Sequence, residues 1–315
     1  MRVALPLFLI CLLASLLAGC TGSPADVHVW GGLGDQPGQF NEPFDVAVDA
    51  GAFVYVTDVR NKRVQKFTAD GDFVLAFGQQ QFEKPGGLGI APDGTVWVTD
   101  YDLDRIFHFD PNGKLISAWG AAGDGAGEFA SPVDVAVNAA GQVYVVDQYH
   151  HRIQQFTPDG QLIRTWGKQG KVNVVRSALS FLIPDGRESE FYYPSRIAIG
   201  SDDRVYVSDA YNNRVQVFDA KGRFLHSIGG MGLWGGRFRV ASGIAVAADG
   251  SLIVADFYND RIQQFDHAGR FIGAWGGQGD RAGHFSGPTG VAAGRNGRIY
   301  VADWGNHRIQ SVLPQ

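Results

Sequence analysis

The feature that most constrains this 315-residue chain is one pattern written six times: a short apolar strand ending in Asp, four intervening residues, Arg, and another apolar strand. The six pairs are Asp58/Arg63, Asp100/Arg105, Asp147/Arg152, Asp209/Arg214, Asp256/Arg261 and Asp303/Arg308. They recur at 42 to 47 residues, stretched once by an insertion. Self-similarity at such a period marks stacked supersecondary units that bury their apolar faces only against neighbours. The 43 glycines and 12% aromatic residues suit many short strands joined by tight turns, and no long helical period competes. A formal charge of -5 offers no basic field to a polyanion, so nucleic acid is not an expected partner.

Read in register, each unit holds four strands. The third is the clearest: Val133 to Val137, a turn at Gly141, Val143 to Val146 closed by Asp147, Arg152 to Phe156, a turn at Asp159-Gly160, and Gln161 to Trp166 ending in Gly167. Four-stranded sheets repeated radially leave only short, protected edges. The sixth unit runs through Pro288, Arg298 to Ala302, Asp303, Arg308 and Ile309 to Val312 without a fourth strand, whereas Val27-His28-Val29-Trp30-Gly31 reads like the fourth strands of the others. The expectation is an all-β, six-bladed β-propeller in which residues 27–30 complete the last blade.

The first residues have a different character. Met1-Arg2 followed by an apolar run from Val3 to Leu17 is too short for a spanning helix and has the form of an export signal. The run closes in Leu17-Ala18-Gly19-Cys20, which resembles the bacterial lipobox, where small residues precede a Cys that receives lipid and becomes the new N-terminus. That resemblance implies a signal peptide over 1–19, a lipidated tether over 20–26 and a propeller body over 27–315. An ordinary signal with an incidental Cys is the alternative. The cysteine count sides with lipid, since Cys11 leaves with the signal and Cys20 then has no disulfide partner. The location implied is the cell envelope, facing the periplasm from the outer membrane if the source has two membranes, because Thr21 is not acidic.

The repeats resemble the NHL family: Phe, a gap, Pro, an apolar strand, a turn, VYV-x-D, an Asn-containing turn, R-V/I-Q-x-F, and an aromatic-Gly end. The resemblance spans residues 27–315, with one departure at Ala241, where the other units carry Pro43, Pro85, Pro132, Pro194 and Pro288. Among NHL relatives, peptidyl-hydroxyglycine amidating lyases are similar in blade texture. The resemblance implies zinc held by histidines directly after the blade proline and a tyrosine in the following turn. Tyr149, Tyr211 and Tyr258 match the tyrosine slot, but the histidine slots hold Phe44, Gly86, Val133, Ser195, Ser242 and Thr289, which leaves a zinc Lewis acid no evident seat. No metal or other cofactor is expected.

Residues present in every unit serve the unit first. Each Asp/Arg pair is expected to join the end of strand two to the start of strand three as a buried charge pair, and Trp30, Phe77, Trp119, Trp166 and Trp275 to pack between blades. Ligand contacts are sought where the blades differ, on the face carrying the loops between strands two and three and from strand four to the next blade. The second position after the repeat Asp holds Arg60, Asp102, Tyr149, Tyr211, Tyr258 and Gly305, with an aromatic rim from Tyr101, Phe257 and Trp304. These rings either stack on a ligand or pack on adjacent loops. At the inner strands, Asp45, Asp134 and Arg196 stand among Gly87, Gly243 and Gly290, forming either a charged funnel or an internal Asp134/Arg196 bridge.

The stretch from Gly167 to Pro194 is 15 residues longer than its counterpart from Gly120 to Pro132 and carries Lys168, Lys171, Arg176, Phe181, Arg187 and Glu190, a lid or docking arm if ordered. His150 stands where sister units carry Asn, favouring turn capping over metal binding, and Asp35, Asp124 and Asp280 are read as turns. No nucleophile triad or phosphate-cradling loop is present. The function expected is a membrane-anchored module that binds an envelope protein or peptide, a small-molecule ligand remaining open. The alternative is a lyase or hydrolase using Tyr149, Tyr211, Tyr258 and Arg196 as acid/base or oxyanion contacts.

Overall fold

The computed structural model describes residues 26–171 and 187–314, which form six four-stranded antiparallel blades around a central axis. The innermost strands are Pro43–Val48, Pro85–Ile90, Pro132–Val137, Arg196–Ile199, Ala241–Val246 and Pro288–Ala293. Second strands such as Val143–Asp147 and Val205–Asp209 are buried at every position. Both faces of each blade are covered by neighbours, which is why these segments are continuous β-branched and aromatic runs rather than alternating ones.

Closure occurs as the sequence indicates and extends slightly beyond residues 27–30. Asp26–Gly31 pairs antiparallel with Arg308–Leu313, from Asp26 opposite Leu313 to Gly31 opposite Arg308. In this last blade one row of partners runs through Pro288, Asp303, Arg308 and Gly31, and the row at the other end through Ala293, Ile299, Val312 and Val27. The first row lies at the Asp/Arg face of the ring. The second lies at its hairpin face.

The core is a series of seams between blades. At the closing seam Phe40, Val56, Phe67, Tyr300 and Ile309 pack together, with Trp30 6.2 Å from both Phe67 and Tyr300. Phe77 meets Phe109 at 5.0 Å, and Trp119 meets Phe156 at 4.7 Å, each ring reaching the next blade. Phe40, Phe82, Phe129, Phe191, Phe238 and Phe285 are buried just beyond the ends of the outer strands. At Gly276 the backbone adopts a φ of 110°, and a Phe285 ring carbon lies 2.8 Å from where a Cβ would stand, so glycine is required both for conformation and for space.

The Asp/Arg pairs are locks between strands and loops. In five blades Arg Nε donates to the Asp carboxylate at 2.7 or 2.8 Å, joining Asp58 to Arg63, Asp147 to Arg152, Asp209 to Arg214, Asp256 to Arg261 and Asp303 to Arg308. The same carboxylate accepts a backbone N–H from the incoming loop, as Asp209 does from Tyr192 at 2.8 Å. The guanidinium donates to carbonyls of that loop, as Arg63 does to Asp35, Gln36 and Gln39. A Gln two residues after the Arg spans both: Gln216 Nε2 reaches Asp209 at 3.1 Å and the Glu190 carbonyl at 2.8 Å. Thus Asp35, Asp124 and Asp280, read as simple turns, present their backbone carbonyls to Arg63, Arg152 and Arg308.

Blade 2 corrects the expectation of six pairs. Arg105 is exposed and makes no ion pair with Asp100, whose carboxylate accepts instead from the backbone N–H groups of Glu83, Lys84, Asp102 and Leu103. The cause is the incoming loop. Gly78 to Pro85 is too short to supply the carbonyls that hold the fork elsewhere, and Phe107 replaces the bridging Gln.

The expectation of a buried charge pair also needs correcting at Arg261, Arg152 and Arg308. Each has a fully buried Asp partner, yet the three guanidinium side chains are partly exposed, and only Arg63 and Arg214 are buried. In blade 5, Arg261 Nε donates to Asp256 at 2.8 Å, while its Nη2 donates outward to the Trp234 and Arg237 carbonyls at 2.9 and 2.8 Å. The fork of Arg261 thus lies along the surface loop, with one side open to water and the other clamped on a buried carboxylate.

A second contact joins neighbouring blades. The residue preceding the repeat Arg has positive φ, and in every blade but the first, where it is Lys62, it accepts an N–H from the next loop, as His151 Nδ1 does from Tyr193 at 3.0 Å and Asn213 does from Val240 at 2.9 Å.

Candidate functional site

On the Asp/Arg face, at the mouth of the central channel, lies a mostly apolar cup of about 360 Å³. Phe44, Val59, Pro85, Gly86 and Val133 form its apolar base, and Tyr101, Phe257 and Trp304 its aromatic wall. Glu42, Lys84, Gln148 and Thr289 supply its polar groups. The inner-strand start places Phe44, while the short turn after each repeat Asp places Tyr101, Phe257 and Trp304. The rim foreseen from Tyr101, Phe257 and Trp304 is therefore the wall of a real depression.

Beside the cup runs a continuous tyrosine ridge. The Tyr101 hydroxyl donates to that of Tyr149 at 2.9 Å, Tyr149 meets Tyr193 edge-on at 5.6 Å, and Tyr193 meets Tyr211 at 5.5 Å. Tyr149, Tyr211 and Tyr258 are 51%, 56% and 55% exposed, so half of each ring is open to solvent. Burial, and then the hydrogen bond with Tyr149, pushes the Tyr101 phenol above its ordinary value. Burial also raises Tyr211, with the neighbouring tyrosines adding to it. Both phenols are neutral donors at physiological pH, suited to hydrogen bonding.

Basic groups border the ridge. Lys84 Nζ lies 4.3 Å from the Tyr101 ring centre, Lys171 Nζ 5.3 Å from that of Tyr192, and the Arg239 guanidinium 5.9 Å from that of Tyr258. Arg60 pairs with Glu42 at 3.0 Å, and Asp102 lies 3.9 Å from Lys84. Burial, and then His150, hold the His151 ring below its usual value, consistent with its Nδ1 accepting from Tyr193.

The inner-strand charges do not face the cup. Asp45, Asp134 and Arg196 are buried and line a second, channel-side cavity of about 200 Å³. Arg196 Nε lies 3.6 Å from Asp45, and its Nη2 donates to the Phe44 carbonyl at 3.0 Å, with the guanidinium stacked 4.1 Å from the Phe44 ring. The internal bridge is thus Arg196 to Asp45 rather than Arg196 to Asp134. The Leu88 N–H donates to Asp45 and the Ile197 N–H to Asp134, at 3.0 and 2.8 Å. Burial and then the charge of Asp45 hold the Asp134 carboxyl well above the carboxylate range, which favours its protonated form beside Asp45. In place of an open charged funnel there is a self-paired cluster beneath Phe44.

That placement removes Arg196 from any oxyanion role in the cup. The hydroxyls at the ring after the blade proline are engaged between blades: Ser195 donates to Ser242 O at 3.2 Å and Ser242 to Pro288 O at 2.7 Å. Among the described residues no three His, Cys, Asp or Glu side chains gather as a metal-ligand group. His150 caps its turn as Asn does elsewhere, reaching Asp147 at 2.8 Å and Asp124 at 2.7 Å. In the insertion, Lys168–Gln169 pairs with Glu190–Phe191, and Glu190 binds Lys168 and Arg187 at 3.4 and 3.2 Å. Cys20, Arg176 and Phe181 lie outside the described residues. The sequence reading overlooked Phe44, Lys84, Gln148, Tyr192 and Tyr193 as face residues; an aromatic pair directly before Pro194 was the available signal for the last two.

A family model described as "NHL repeat" matches residues 40–67, 129–156, 191–218, 238–265 and 285–310. The blade it passes over is blade 2, where the lock is missing. No curated protein is a significant match. A Xanthomonas campestris gluconolactonase structure is 16% identical, with 96% of this chain and 93% of that chain covered and a TM-score of 0.64. A catalytically inactive virginiamycin B lyase from Staphylococcus aureus, with quinupristin, is 17% identical over 92% of this chain and 89% of that one, with a TM-score of 0.59. A Bacteroides thetaiotaomicron protein of unknown function is 16% identical over 91% and 76%, with a TM-score of 0.71. At such identities the likeness concerns the fold. Five matched repeats and a sixth blade of the same architecture lead to one assignment: the chain is an NHL-repeat protein, a six-bladed β-propeller in which five blades carry the NHL repeat.

Proposed function

We propose that this propeller is a membrane-anchored recognition module of the cell envelope, exported and lipidated at Cys20, whose Asp/Arg face binds a peptide segment of an envelope protein. The observation that carries the reading is the apolar cup beside a ridge of half-exposed tyrosines. Tyr and Trp surfaces offer large contact area with few rotatable bonds, and such residues dominate binding energy in interfaces. An extended segment would seat one apolar or aromatic side chain on Phe44 and cross the ridge through Tyr149 and Tyr211. Lys84, Gln148 and the phenols would meet its backbone.

The test is a displayed peptide library selected on the wild-type body, followed by calorimetric titration of a selected peptide. Replacing Tyr149 and Tyr211 together by Ala is expected to weaken binding by about 2 kcal/mol or more, near thirtyfold, with the melting temperature unchanged. Unchanged affinity in that variant would sink the ridge assignment. Selection of no peptide, alongside turnover or binding of a small ester or lactone, would favour a small-molecule site instead.

A further inference from the structure

The direction of the closing strand decides which face of the ring approaches a membrane. Asp26 pairs with Leu313 at the hairpin end of the last blade and forms a side-chain ion pair with Arg298, which follows the first hairpin of that blade. Asp26, the first described residue, therefore stands at the end of the ring opposite the cup. From Cys20 to Asp26 there are six residues, which span at most about 20 Å when fully extended. Resting on the anchoring reading above, this tether holds the hairpin end against the lipid.

The surface at that end carries its own apolar feature. The outer strands Phe73–Phe77, Leu115–Trp119 and Phe271–Gly276 begin with exposed apolar pairs: Phe73 and Val74, Leu115 and Ile116, Phe271 and Ile272. Ile116 and Ile272 are 53% and 56% exposed. Phe73 sits in the same terminal row of its blade as Val54 and Phe67, the row that corresponds to the start of the closing strand. These pairs stand on three of the six blades at the same end of the ring as Asp26, so the start of the closing strand and the apolar pairs share one side.

We infer that the hairpin end of the propeller, with its perimeter of exposed apolar pairs, rests on the lipid surface to which Cys20 is attached, and that the cup and tyrosine ridge face away into the envelope space. The occupant of the apolar perimeter is the headgroup and acyl boundary of the bilayer. Apolar burial supplies the contact, because the hairpins carry both acidic and basic side chains, such as Asp219 with Arg223 and Asp266 with Arg270.

The acylated protein, purified from its membrane and placed in phosphatidylcholine vesicles, would be followed by hydrogen exchange and compared with an equally acylated Ile116→Asp/Ile272→Asp variant. Segments starting at residues 73, 115 and 271 are expected to exchange more slowly in the wild type and to lose that protection in the variant, while the loops bearing Tyr149, Tyr211 and Tyr258 exchange alike in both. Protection of the tyrosine loops, or no difference between wild type and variant, overturns the orientation while leaving the anchor intact. Mass spectrometry of the same material without an acyl group on Cys20 would overturn the anchoring reading, and this inference with it.

Discussion

Replacing Asp209 by Ala tests whether the repeat pairs are locks. The carboxylate is fully buried and accepts from Arg214 Nε at 2.8 Å, Asn212 Nδ2 at 2.9 Å, Gln216 Nε2 at 3.1 Å and the Tyr192 N–H at 2.8 Å. Its removal leaves a buried guanidinium uncompensated, a change that costs about 3–5 kcal/mol. Arg214 keeps its contacts with the Arg187 and Glu190 carbonyls, and water can enter the space vacated, so the orphaned neutral donors add little. The expected loss is about 4 kcal/mol, near a thousandfold in the folding equilibrium. Asp256→Ala should cost less than Asp209→Ala, because water reaches the partly exposed Arg261 and takes over some of the lost solvation. Arg105→Ala in blade 2 is the internal control: an exposed side chain with no ion pair to Asp100 should cost no more than about 0.5 kcal/mol. Equilibrium urea unfolding of the three variants, with slopes compared to confirm a common transition, provides the measurement. Asp209→Ala and Arg105→Ala within about 1 kcal/mol of each other would refute the argument that loop carbonyls and a buried carboxylate together make the lock.

Two further outcomes follow from the channel and the closing strand. Asp134 has its folded-state value raised above that of the unfolded chain, so the folded protein binds more protons and loses stability as pH rises from the ordinary carboxylate value through the raised one. Asp134→Asn keeps an acceptor for the Ile197 N–H and cannot ionise, so it should match the wild type at about pH 4 and exceed it in stability at about pH 8. An Asn variant that loses stability on the alkaline side would refute the raised Asp134 carboxyl. Deleting residues 26–31 leaves Arg308–Leu313 as an unpaired edge and strips Trp30 from the closing seam. A lower urea midpoint and concentration-dependent association are expected, read by denaturation and sedimentation; a monomer of unchanged midpoint would count against closure by this strand.

The architecture was legible because the repeat is written in backbone-determining residues: Gly at the end of each outer strand, Phe in the loop, Asp and Arg at a fixed interval. The depression was only partly legible. Tyr101, Phe257 and Trp304 stand next to the repeat Asp, where a register argument can place them. Phe44 sits in a slot that holds Gly, Val, Ser or Thr in the other blades, so nothing local marks it as the base of the cup. Asp45, Asp134 and Arg196 were legible as inner-strand charges, but the pairing of Arg196 with Asp45 and the ring of Phe44 above it arise from packing across the axis, a relation between distant blades with no periodic trace. Arg105 misled for the opposite reason. The motif was intact while its partner was five residues of missing loop, which only the comparison of loop lengths reveals. Arg261 has both motif and loop, and its partial exposure follows from how that loop lies over it, which the spacing of Asp and Arg does not encode.

The strand Asp26–Gly31 has a temporal meaning as well. It is the first part of the body to leave the ribosome, yet its pairing partner, Arg308–Leu313, is among the last. Almost the whole chain must be present before the ring can shut, which makes closure the contact of longest sequence separation and places it late in folding. Until Asp26–Gly31 meets Arg308–Leu313 the blades form an open arc, and the faces that will meet at the closing seam, Phe40 and Phe67 on one side and Tyr300 and Ile309 on the other, stay uncovered.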